Sequence, residues 1–64
     1  MELGNLRQRD PFMLLSIINL KLRDYYNSLF NLCDDLNVDE KELKDVLLSV
    51  GYVYNEENNQ FVLK

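Results

Sequence analysis

Few side chains in this 64-residue chain have the type and spacing that chemistry requires. Asp34 and Asp35 form the most conspicuous acidic pair. They are adjacent on a segment with helical periodicity, so their side chains diverge by about 100° and cannot share one reacting atom. A solvated acidic face accounts for them. Cys33 lies in the apolar stripe of the same segment, and the two carboxylates that follow it disfavour a thiolate, so a buried structural thiol is expected. The chain contains no histidine, which removes the side chain most often used for acid–base work near neutrality. Asp35, Asn37 and Asp39 alternate like the opening of a calcium-binding EF-hand loop, but the sixth position is Glu40 rather than Gly and the twelfth is Val46 rather than Glu. Helix-cap and turn roles already account for Asn37 and Asp39. One cysteine and no histidine also exclude an internal disulfide and the common kinds of zinc site. No glycine-rich phosphate loop is present. The expectation is a protein with no enzymatic activity, no cofactor and no metal.

The elements that hold these residues are readable from local signals. Residues 1–9 show no periodicity and read as a loose leader, and residues 10–64 as the domain. Asp10-Pro11 is a sharp helix start, because the carboxylate caps free N–H groups and proline at the first helical position has no N–H to lose. The first helix is predicted from Pro11 to Asp24. Leu14, Leu15, Ile18, Leu22, Tyr25 and Tyr26 share one face, while Met13, Ile17 and Leu20 gather on a second apolar patch beyond a polar stripe of Ser16, Asn19 and Arg23. Ser28 then caps a second helix, whose Leu29, Leu32, Cys33 and Leu36 follow amphipathic spacing, and Asn37 tolerates the left-handed conformation that closes it. Asp39 and Glu42 make a capping box, with Val38 and Leu43 as its hydrophobic staple. Leu43, Val46, Leu47 and Val50 continue the core stripe of the third helix until Gly51.

A hairpin is predicted to follow. A four-residue loop, Glu56 to Asn59, sets Tyr54 opposite Phe61 and Tyr52 opposite Leu63 on one face, with Val53 opposite Val62 on the other. A five-residue loop would set Tyr54 against Gln60 and lose the aromatic pair. The predicted fold class is therefore α+β: three short helices, the last two paired like a helix-turn-helix, closed by a C-terminal two-stranded β-hairpin in a winged-helix-like outline.

Two function classes follow from that outline. A DNA-binding wing and recognition helix gain most of their affinity from cations on phosphates. Here the third helix exposes Glu40, Lys41, Glu42, Lys44 and Asp45, the hairpin tip adds Glu56 and Glu57, and the net charge is −4. An atypical nucleic-acid binder would have to rely on Arg7, Arg9, Lys21, Arg23, Lys41 and Lys44. The other class is a non-enzymatic protein-interaction module, with an unknown protein partner or self-association. Met13, Ile17 and Leu20, Phe30 on the outer side of the second helix, and Leu48 on the polar face of the third are its candidate surface. Either the hairpin and leader cover these side chains, or they bind something. The charge balance favours the protein-interaction class.

Sixty-four residues set a thin margin of stability, since a chain this short buries only about 60% of its unfolded surface. The single cysteine fits a reducing compartment, and no apolar run resembles a signal peptide or spans a bilayer, so a cytoplasmic location with no membrane association is expected.

Several segments taken together are similar to a family of short bacterial proteins built on a domain of unknown function (DUF4250-like). They are Asp10-Pro11 with Met13-Leu14-Leu15-Ser16, Asn19 with Leu22-Arg23-Asp24, Ser28-Leu29 with Leu32-Cys33, and the ending Gly51-Tyr52, Tyr54-Asn55 and Asn59-Gln60-Phe61. The resemblance implies a small cytosolic bacterial protein and carries no established activity, cofactor or partner. Within those segments Ser16, Asn19, Arg23, Asn59 and Gln60 are candidates for a surface role. The structural alternative, favoured here, is that Asn59 and Gln60 shape the hairpin turn and Ser16 packs the first helix closely.

Overall fold

In the computed structural model, which describes residues 6–64, the chain runs through a single 3-10 turn, three α-helices and an antiparallel hairpin. The helices are α1 (Pro11–Asp24), α2 (Leu29–Leu36) and α3 (Glu40–Leu48), and the strands are β1 (Tyr52–Asn55) and β2 (Gln60–Leu63). Each start is set by a local cap. The Asp10 carboxylate accepts from Phe12 N, Ser28 Oγ from Asn31 N, and Asp39 Oδ1 from both Lys41 N and Glu42 N. Asn37 closes α2 at φ 56°, in the left-handed region where a short polar side chain is tolerated. After α3 the chain turns at Gly51 with φ 89°, a value that strains any residue with a Cβ.

The core is apolar throughout: Leu14, Ile18 and Leu22 from α1, Leu29, Leu32 and Cys33 from α2, Leu43, Val46 and Leu47 from α3, and Phe61 from β2. Leu15, Tyr26, Leu36, Val38, Tyr52 and Tyr54 pack around it. The hairpin has the register expected from side-chain matching, with Tyr52, Val53 and Tyr54 opposite Leu63, Val62 and Phe61. The Tyr54 and Phe61 rings sit 5.5 Å apart in a tilted pair.

Four details differ from the sequence expectation. Of the nine residues read as a loose leader, 1–5 lie outside the described residues, but Leu6 is buried in the core from a 3-10 turn against α3. A lone leucine before a polar stretch carries no periodicity, so nothing local marked it. Tyr25 does not join the core face of α1; it is 72% exposed, because the helix ends at Asp24 and the residue leaves the 100° progression. Val50 is only half-buried because α3 ends at Leu48. Ser16, read as a close-packing position of the first helix, is exposed.

Candidate functional site

The polar residues singled out in the sequence fall into two groups, and the structure separates them. Asn19, Asn59 and Gln60 join the hairpin to α1. The Asn19 side chain accepts from Phe61 N at 2.7 Å and donates to Phe61 O at 3.0 Å, so its amide pairs with the outer edge of β2 as a neighbouring strand would. Asn59 Nδ2 donates to Leu22 O and Tyr26 O, both at 2.9 Å, and thereby satisfies carbonyls at the C-terminal end of α1. Its Oδ1 accepts from the Tyr54 hydroxyl, which in turn accepts from Leu29 N at the start of α2. Gln60 Nε2 donates to Asn19 O and Asn59 O. These side chains are structural. They shape the turn and also tie the hairpin to α1 and to the start of α2, both distant from it in sequence. Arg23 is exposed and bonded to Asp24, whose carboxyl the guanidinium hydrogen bond holds below the usual carboxylate range.

Three of the residues proposed for nucleic-acid contact are engaged by neighbouring side chains. Lys44 is paired with Glu40 at 3.0 Å, Arg23 with Asp24 at 3.0 Å, and Lys21 Nζ lies 5.5 Å from the centroid of the Tyr25 ring. Arg9 is half-buried and Lys41 exposed, while the Arg7 side chain lies outside the described residues.

The apolar candidates divide as well. Met13 and Leu20 are exposed on the outer face of α1 beside half-buried Ile17, with Phe12 exposed nearby in sequence. Phe30, 69% exposed, and Leu48, 45% exposed, belong instead to two adjoining hollows along β1. The first, of about 390 Å³, lies between Lys44, Asp45 and Leu48 on α3 and Tyr52, Val53 and Tyr54 on β1. The second, of about 320 Å³, continues past Tyr54 to Phe30 and Ser28 at the start of α2. Lys44, Tyr54 and Glu56 line both, making one groove with an apolar residue near each end. No sequence periodicity indicates this groove, because its walls come from α2, α3 and both strands.

The groove combines apolar walls with a few charged side chains. Its charges are the Lys44–Glu40 pair, Asp45 and Glu56, and it contains no nucleophile beside a base. Cys33 is buried, and burial together with the nearby Glu40 carboxylate pushes its thiol from the ordinary 9.0 up to about 11. Asp34 and Asp35 are exposed, and Asp35 accepts a hydrogen bond from the Tyr26 hydroxyl that raises the phenol above its usual value. Among the described residues there is no group of three or more His, Cys, Asp or Glu that could hold a metal ion, and no helix long and apolar enough to cross a membrane.

The Cys33 and Tyr26 shifts have the same sign. A folded-state pKa above the unfolded one contributes stability that is complete below the unfolded value and is lost as pH rises through the folded one. Urea midpoints should therefore change little on account of these groups near neutrality and fall between pH 9 and about 11 through Cys33. Cys33→Ala should flatten that fall. An unchanged slope in the variant would show that Cys33 is not its source.

Helices packed over a hairpin, with side-chain amides sealing one sheet edge and a groove lined by the other strand, define a small α+β domain. The chain belongs to the family described as Domain of unknown function (DUF4250), which it matches over residues 8–61. No curated protein and no solved structure gives a match.

Proposed function

We propose that this domain is a non-enzymatic protein-interaction module that binds its partner in the groove along β1. The observation that supports the reading is the position of Phe30 and Leu48. They are large apolar side chains left in water on a domain with a thin stability margin, and they lie along one continuous concavity. Groups fully exposed for folding reasons alone need not line a common groove. The apolar face of α1, with Met13 and Leu20 exposed and Ile17 half-buried, serves as the comparison.

Phe30→Asp and Leu48→Asp alter exposed positions and should leave stability within about 0.5 kcal/mol of the parent. Each should abolish partner retention from a native lysate on the immobilised chain, whereas Ile17→Asp should preserve it. Retention lost only in Ile17→Asp would move the site to α1, and retention unchanged in all three would remove the proposal. Binding of random duplex DNA that falls steeply as salt rises would favour the nucleic-acid class instead.

A further inference from the structure

We infer that the outer edge of β1 accepts an extended basic peptide as a third strand; the inference rests on the groove reading above and specifies its occupant. The phase of the hairpin ladder carries the argument. Lys64 N donates to Gly51 O at 2.7 Å, which makes that pair a hydrogen-bonded one. Alternation then makes Val53–Val62 and Asn55–Gln60 hydrogen-bonded pairs and leaves Tyr52–Leu63 and Tyr54–Phe61 non-bonded. The main-chain N–H and C=O groups of Tyr52 and Tyr54 therefore point away from β2.

The two edges of the sheet are treated differently. On β2 the equivalent groups of Phe61 are taken by the Asn19 amide, at 2.7 and 3.0 Å. On β1 no described residue takes those of Tyr52 and Tyr54. Natural edges are commonly protected by lysine, proline or a bulge, and Tyr52-Val53-Tyr54-Asn55 has none of these. It is instead rich in residues suited to strand pairing. A free edge beside a hollow of about 390 Å³ meets the two needs of strand addition, main-chain partners for affinity and room for alternate side chains.

Charge selects the kind of peptide. Lys44 is neutralised by Glu40 at 3.0 Å, whereas Asp45 and Glu56 form no ion pair among the described residues. The rim is thus net acidic, in line with a chain of net charge −4. An incoming strand with apolar side chains directed into the hollow and lysine or arginine toward Asp45 and Glu56 complements it.

The test is selection of a randomised peptide library on the full-length chain, followed by synthesis of the recovered peptides. Binders are expected to alternate apolar with basic residues and to slow amide exchange at Tyr52 and Tyr54 by at least about tenfold at saturation. They should also weaken by about tenfold or more against the Asp45→Lys, Glu56→Lys double variant, whose positions are exposed. Binders that Phe30→Asp or Leu48→Asp abolishes, but that are helical or acidic or leave Tyr52 and Tyr54 exchange unchanged, would overturn strand addition and leave the groove reading standing. Recovery of no peptide sensitive to Phe30→Asp or Leu48→Asp would overturn both.

Discussion

Asn59→Ala is expected to destabilise the domain by about 2–4 kcal/mol, a large share of the roughly 3–10 kcal/mol available to a chain of this length. The side chain makes bonds in three directions. It donates to Leu22 O and Tyr26 O and accepts from the Tyr54 hydroxyl. Removing it strips a partner from part-buried carbonyls at the end of α1 and loosens the hydroxyl that holds Leu29 N at the start of α2. Alanine must also adopt φ 52°, which costs about 1–2 kcal/mol relative to a residue at ease there. Asn59→Gly separates the two effects, since glycine accepts the backbone but makes none of the bonds. Urea unfolding should place Gly between parent and Ala. A Gly variant as stable as the parent would reduce Asn59 to a turn residue and remove its role as a connection between α1 and the hairpin. Asn59→Asp should be no better than Ala, because a carboxylate oxygen would then face carbonyls that now receive an N–H.

Leu43→Ala is the second large expected effect, at about 2–5 kcal/mol. Leu43 is completely buried and sits at the first core position of α3, one turn after the Asp39 cap that starts the helix. α3 packs against α1, α2, β1 and the 3-10 turn, and Leu43 is one of its buried residues, so a cavity there weakens the core that these elements share. Met13→Ala provides the comparison, since Met13 is 63% exposed and should change stability by no more than about 0.5 kcal/mol. Equal losses from the two variants would mean that α3 does not carry the core. Because the margin is thin, Leu43→Ala should be partly unfolded at moderate temperature, visible as a lowered far-ultraviolet helical signal.

Local signals along the chain and contacts made across it account for different parts of this fold. Caps and turns act over a few residues: Asp10-Pro11, Ser28, Asn37 and Asp39 each marked an end that the structure has, and the Tyr54–Phe61 match gave the hairpin register. Contacts across long separations leave no such mark. Asn19 and Phe61 are 42 positions apart and Asn59 and Leu22 are 37, so their bonds follow from how α1 and the hairpin happen to be brought together. The burial of Leu6 and the groove lined by α2, α3 and both strands are of the same kind. The family resemblance groups Asn19 with Asn59 and Gln60, and a turn-shaping role is the favoured reading for the last two, but their bonds to α1 are not indicated by it. Hydrogen bonding within a turn is dictated by neighbouring residues, whereas the pairing of distant polar groups is settled only when the apolar core brings their elements into contact.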